Sequence, residues 1–314
     1  MDEVEKIKEK IALLENTVAQ NPGDYSAKKE LAFAYIDACE NQKALEIFEN
    51  LINIFPQDGE LYYNSGLVYE KEKDNQKALE LYQKAIELSP MDEDFNYSLA
   101  FLYDQMGEVE KAISGYRHVL KININDANTH FNLGVLYSRQ NKSKEAIICL
   151  ENALKLDKED PYAWFYLAYE YNRTGDKTKA EICYNRVIEI NPEYSWAYYN
   201  LACLYRESGD TTKAITHLRK TIELNPNDIE AYKNLAKILI ENDMIQEAID
   251  EISAGLNENP DLADLHYILA KIYEKDGQNE EAIYELKQAL LDAENLKIPT
   301  EKIKQELNRI TIQK

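Results

Sequence analysis

The sequence predicts an all-α solenoid of eight 34-residue helix-turn-helix repeats with a capping helix at each end. Three residue series carry that prediction. Pro22, Pro56 and Pro90 stand 34 residues apart, Ile124 and Lys158 hold the next two places, and the series resumes at Pro192, Pro226 and Pro260. An alanine series runs unbroken through Ala44, Ala78, Ala112, Ala146, Ala180, Ala214, Ala248 and Ala282. Tyr35, Tyr69, Tyr103, Tyr137, Tyr171, Tyr205 and Tyr273 form the third series, with Leu239 as its exception. No residue is inserted or deleted through the eight units.

Residues 2–20 read as a lone second helix, with Ile11, Leu14 and Val18 in its apolar places. Lys10 stands there where the units have alanine, which requires that no partner helix pack on it. The eight units fill residues 25–296 and begin at Tyr25, Gly59, Glu93, Ala127, Pro161, Ser195, Ile229 and Ala263. The unit at 195–226 shows the plan. Tyr198, Leu201, Ala202 and Tyr205 recur at helical spacing on one stripe. Gly209 breaks that helix, as Gly107, Gly175 and Gly277 do in their units. Ala214, Ile215, Leu218 and Ile222 share one face of the second helix, which Pro226 stops. Residues 300–312 read as a lone first helix with Ile303 and Leu307 in register, and Lys304 takes a place that is small in the units. Polar outer faces on terminal helices keep a stack soluble. Residues 1–314 are thus expected to form a single solenoid.

This 34-residue pattern of small residues, tyrosines and prolines resembles the tetratricopeptide repeat (TPR). The resemblance covers nearly the whole chain, and it implies a right-handed superhelix whose first helices line a concave, ligand-holding groove.

Composition narrows the partners. The chain has 314 residues, is 45% hydrophobic and carries a formal charge of −21. Such a field repels nucleic acid and anionic membranes and steers basic partners inward. The start, MDEVEKIKEK, lacks a signal peptide's plan, and no apolar run is long enough to insert into a membrane. Cys39, Cys149, Cys183 and Cys203 show no paired spacing. These features suit a reducing cytoplasm.

Residues 162–171, YAWFYLAYEY, concentrate six aromatic residues. Counted from the start of the unit, Trp164 and Tyr171 take the fourth and eleventh places, which face the core between the two helices. By the resemblance, Tyr162, Phe165, Tyr166 and Tyr169 line the groove, and Trp196 and Tyr199 join them from the next unit. The fifth and ninth places are neighbours on one helix face. In units two to five they hold Tyr63 and Leu67, Tyr97 and Phe101, Phe131 and Val135, and Phe165 and Tyr169. That predicts a continuous apolar band. Phe33, Phe101 and Tyr169 either pack on the neighbouring helix or stay open as ligand anchors.

The polar residues are graded. Glu30, Asp37, Glu60, Glu70, Asp94 and Asp104 lie toward the start, Arg139, Arg173 and Arg206 in the middle, and Lys233, Lys237 and Lys271 toward the end. They are either ligand contacts or ordinary solvated faces. Asn64, Asn132, Asn200 and Asn234 share the sixth place. An amide there can both donate to and accept from a peptide backbone. This resembles the asparagine ladder of some TPR proteins, although Ser98 and Tyr166 interrupt it. The lysine and asparagine pattern of the TPR carboxylate clamp is not met, because Phe33, Asp94, Ser98 and Ile268 stand at its required places.

No constellation for catalysis appears. No phosphate-binding glycine loop or nucleophile elbow is present. Cys149, Cys183 and His217 repeat at one place on successive second helices, too far apart for one metal ion. No cofactor is expected. Glu181 stands where other units are apolar, and a salt bridge or a partly exposed place is expected for it. The sequence therefore reads as a non-catalytic protein–protein interaction scaffold that takes a peptide or protein partner in its groove. Tyr162, Phe165, Tyr166, Tyr169, Trp196 and Tyr199 would be its anchors. Asn200 and Asn234 would hold backbone, and Arg173, Arg206, Lys233 and Lys237 would take acidic groups. The alternative is a self-associating structural protein or a non-catalytic subunit of a larger assembly.

Overall fold

The computed structural model describes residues 3–291, 294 and 296–312. Residue 2 of the expected first cap, and residues 292, 293 and 295 of the expected repeat span, lie outside the described residues. Eighteen α-helices and no strands occur among the described residues. The chain divides into two compact units, Met1–Lys158 and Glu159–Lys314. The first holds α1 (Glu3–Gln20), α2 (Tyr25–Asp37), α3 (Asn41–Ile54), α4 (Gly59–Lys71), α5 (Asn75–Leu88), α6 (Glu93–Gln105), α7 (Val109–Ile122), α8 (Ala127–Arg139) and α9 (Ser143–Leu156). The second holds α10 (Pro161–Arg173), α11 (Lys177–Ile190), α12 (Ser195–Ser208), α13 (Thr211–Leu224), α14 (Ile229–Glu241), α15 (Ile245–Glu258), α16 (Ala263–Lys275), α17 (Asn279–Leu291) and α18 (Thr300–Ile312).

The helix ends follow from local chemistry. Asp24, Asp58, Asp92, Asp126, Asp160 and Asp228 cap first helices, each side chain accepting from a backbone N–H of the first turn. At the other end the fifteenth place of every repeat is left-handed. Gly107, Gly175, Gly209 and Gly277 have φ between 76° and 87°, as the sequence suggests. Cys39, Lys73, Asn141 and Asp243 adopt φ near 60° at the same place, which the sequence does not announce. The next residue's N–H then reaches back to the eleventh-place carbonyl, as Asp210 does to Tyr205 at 2.9 Å and Met244 to Leu239 at 2.9 Å. That bond closes the helix and turns the chain.

Small residues let the paired helices meet. The alanine series from Ala44 to Ala282 is fully buried. Gly66 faces Tyr82 so closely that an added Cβ would stand 2.5 Å from its ring. Tyr171 and Tyr205 are buried, whereas Trp164 is only half-buried. Among the described residues Glu181 forms no salt bridge. It is half-buried and accepts the Tyr205 hydroxyl at 2.6 Å, which explains an acid at an apolar place. His217 stacks on the same Tyr205 ring at 5.3 Å.

The two end helices bury their apolar stripes. Ile11 and Leu14 of α1 join the cluster around Leu31, Ala32 and Tyr35. Ile303 and Ile310 of α18 join Ala282 and Leu286. Lys10 and Lys304 stay exposed. Buried Asp264 accepts the backbone N–H groups of Lys297 and Ile298, which fixes the approach to α18.

Candidate functional site

All twelve sequence-predicted site residues belong to the second unit. On α10, Tyr162, Phe165, Tyr166, Tyr169 and Arg173 recur at i, i+3, i+4, i+7 and i+11, so one face carries them. Asp160 caps this helix through the Tyr162 N–H, and Pro161 opens it. The aromatic residues divide by exposure. Tyr162 (56%), Tyr169 (44%) and Trp196 (56%) are open to solvent. Phe165, Tyr166 and Tyr199 are half-buried.

The half-buried rings have partners. Phe165 lies 5.8 Å from Tyr184 and 5.3 Å from Tyr194, centroid to centroid, and edges onto Tyr166 at 6.0 Å. Tyr162 meets Tyr194 edge-on at 5.8 Å. Trp196 packs against Tyr199 at 6.1 Å. Burial, then the fields of Cys203, Glu230 and Asp228, pushes the Tyr199 phenol up to about 12, so it stays a neutral hydroxyl at neutral pH. Tyr162, Phe165, Tyr166, Tyr184 and Tyr194 thus form one packed cluster and Trp196 with Tyr199 a pair, with Tyr162, Tyr169 and Trp196 open to solvent.

The polar residues are less free than the sequence suggests. Asn234 gives its amide hydrogens to the Tyr199 hydroxyl and the Glu230 carbonyl, each at 2.9 Å. Its oxygen accepts from Arg206 at 2.8 Å. Asn200 donates to the Trp196 carbonyl of its own helix at 2.8 Å. The reason is the neighbouring unit's fifth place. A tyrosine hydroxyl there meets the next unit's sixth-place side chain, as in Tyr97 with Asn132 at 2.9 Å and Tyr63 with Ser98 at 3.2 Å. Before Asn200 that place holds Phe165, which has no hydroxyl. Asn132 and Asn234 are therefore first of all fasteners between repeats.

Arg173 pairs at 2.8 Å with Glu170, whose side chain is fully buried. Glu170 stands at the tenth place, where every other unit is apolar, and that departure is its signal in the sequence. Lys233 pairs with Glu230 at 2.7 Å, while Lys237 reaches Glu241 only at 3.8 Å. Arg206 and Lys237 are the exposed cations of the set. Beyond them a cavity of ≈ 350 Å³ opens between α14 and α16, with Ala236, Ile240, Ile268 and Ile272 as apolar lining and Lys233, Lys237 and Lys271 at its edge. Its signal in the sequence is Ile268, an apolar residue at the otherwise polar or aromatic sixth place.

In the first unit the expected band is interrupted. Leu67 and Phe101 are exposed, but Val135 is buried, because a short branched side chain sinks between its neighbours where a longer one protrudes. Phe33 packs on Phe48 at 6.0 Å. Among the described residues no cluster of His, Cys, Asp and Glu is placed to hold a metal ion, and no helix is long and apolar enough to cross a membrane.

Comparison with known families decides the kinship. Models described as tetratricopeptide repeat match residues 7–65, 59–92, 93–125, 127–160, 161–194, 183–216, 205–272 and 263–291. The chain belongs to the tetratricopeptide repeat family. Solved TPR structures share its fold. The C-terminal part of a TPR repeat-containing protein from Cytophaga hutchinsonii is 17% identical, with a TM-score of 0.62, covering 73% of this chain and 95% of that one. A TPR protein from Parabacteroides merdae is 19% identical, with a TM-score of 0.56, covering 81% and 99%. YrrB, described as a TPR protein with an unusual peptide-binding site, is 23% identical, with a TM-score of 0.54, covering 59% and 95%. No curated protein matches the chain. At these identities the TPR likeness establishes the fold alone.

Proposed function

We propose that the protein is a non-catalytic interaction scaffold that captures a protein or peptide partner on the aromatic face of α10 and α12. The single observation that carries this reading is the exposure of Tyr162, Tyr169 and Trp196 beside packed aromatic rings. Exposed aromatic rings clustered on one face mark interaction surfaces, because water gains little from them and a partner gains much. Phe165, Tyr166 and Tyr199 are the half-buried rings of that face. Arg206 and Lys237 are placed to receive acidic groups of the partner, and Lys233 can join by exchanging its pairing with Glu230. Arg173 acts through Glu170, and Asn200 and Asn234 chiefly order the surface, Asn200 with its amide oxygen still available.

The test is affinity purification with wild-type protein against Tyr169→Ala and Trp196→Ala variants, followed by titration of each recovered protein. Loss of the same proteins from both variants, at unchanged thermal stability, supports the reading. A concentration-dependent mass in light scattering that both variants abolish would instead assign the face to a second copy of the chain.

A further inference from the structure

A cavity of opposite chemistry lies in the first unit and stands apart from the aromatic face. The N-terminal ends of α4 and α6 enclose a cavity of ≈ 560 Å³. Asp58, Glu60, Asp92 and Asp94 line it, together with the rings of Tyr63 and Phe95, 4.7 Å apart, and with Asn64.

The acids alone have ordinary work at helix ends. Asp58 caps α4 through the Glu60 N–H and accepts the Tyr25 hydroxyl at 2.5 Å. Asp92 caps α6 through the Phe95 N–H at 3.1 Å. Glu60 holds Lys29 at 2.7 Å. Asp94 is exposed and has no ion-pair partner among the described residues. Each helix end contributes roughly +0.5 charge, so with Lys29 included the cavity keeps about two negative charges.

Asn64 is the independent observation. It is 6% exposed, and its side-chain nitrogen is buried with no hydrogen-bond partner among the described residues. Asn132 and Asn234 give the equivalent nitrogen to the preceding repeat's fifth-place tyrosine, each at 2.9 Å. The residue in that place before Asn64 is Lys29, which has nothing to accept with. A buried donor without an acceptor is costly, and in folded proteins such a group calls for a partner.

We infer that this cavity binds an arginine side chain of an extended basic peptide, with the adjacent peptide carbonyl accepting from Asn64. The guanidinium has donors for Asp94 and for the second oxygen of Asp92, and a flat face for the Tyr63 ring. Burial, together with the fields of Asp94 and Asp92, holds the Tyr63 phenol above its usual range, consistent with those carboxylates facing the ring. A bare polyamine satisfies the acids but offers Asn64 no acceptor. The net charge of −21 draws such a peptide inward.

The experiment uses the full chain and three probes: the peptide acetyl-Gly-Ala-Arg-Ala-Gly-amide, the same peptide with citrulline for arginine, and spermidine. The readout is the Asn64 side-chain amide signal in ¹H–¹⁵N NMR. The arginine peptide is expected to move that signal, and the citrulline peptide to bind about tenfold more weakly or less. Asp94→Asn, a surface change, should weaken the arginine peptide by about three- to tenfold at unchanged melting temperature. Tyr169→Ala should leave it unchanged. Equal binding of the citrulline peptide, an Asn64 signal that spermidine moves as far, or an Asp94→Asn variant that binds as well as wild type would each overturn the assignment.

Discussion

The Asn234 side chain donates to the Tyr199 hydroxyl at 2.9 Å across 35 residues of sequence, and Asn132 does the same to Tyr97. Each bond joins the first helices of adjacent repeats. Tyr199→Phe removes the acceptor and leaves Asn234 its bond to the Glu230 carbonyl. The expected loss is about 1 kcal/mol of stability. Urea unfolding of Tyr199→Phe, Asn234→Ala and the double variant checks it. The pair should show a coupling of about 0.5–1.5 kcal/mol. Additive losses would mean the bond contributes nothing.

That relationship also shows what the sequence could and could not carry. Helix positions, the buried alanine series and the end helices were readable because each repeat states the same pattern, and errors in one unit are corrected by seven others. The roles of Asn200 and Asn234 were not. An amide's partners depend on the residue one repeat earlier, so a row read along one place hides a bond made between two places. Glu170, an acid at a place that is apolar in every other unit, carries the same sequence signal as Glu181, and its pairing with Arg173 is what the structure adds. The half-burial of Phe165 follows from ring packing on Tyr184 and Tyr194, which periodicity does not encode.

The left-handed turn places make a second prediction. Lys73 and Asp243 hold φ of 64° and 58° there, where a Cβ is strained. Lys73→Gly and Asp243→Gly should stabilise the protein by about 0.5–1 kcal/mol, despite glycine's greater freedom when unfolded. Gly209→Ala, at φ 82°, should destabilise by about 1–2 kcal/mol. Melting temperatures of the three variants decide the matter, and a destabilised Lys73→Gly would count against it.

Arg173 gives a third. Its fully buried partner Glu170 makes the pair part of the fold. Removing one member of a buried pair costs about 3–5 kcal/mol, and because Arg173 keeps 24% exposure the expected cost of Arg173→Ala is about 2–3 kcal/mol. Chemical denaturation measures it. An Arg173→Ala protein as stable as wild type would contradict a structural role for this arginine.

A fourth concerns pH. Burial against the Tyr205 ring, and Lys213 nearby, lower the His217 pKa, so the folded state favours the neutral imidazole. The stability this provides is fully present above the unfolded value of about 6.5 and is lost as pH falls below it. Between about pH 6.5 and 5 the wild type should lose stability more steeply than His217→Gln. Parallel melting curves against pH for the two proteins would contradict the assignment.

The central claim is that the exposed rings of α10 and α12 hold a partner rather than complete the fold, and Trp196 tests it most directly. It is 56% exposed and packs against the Tyr199 ring. With a partner recovered by wild-type protein, calorimetric titration should find Trp196→Ala weaker by about 2–4 kcal/mol, roughly 30- to 800-fold in Kd, at an unchanged melting temperature. A Kd equal to that of the wild type, or a melting temperature that falls as it would for a buried ring, would contradict the account.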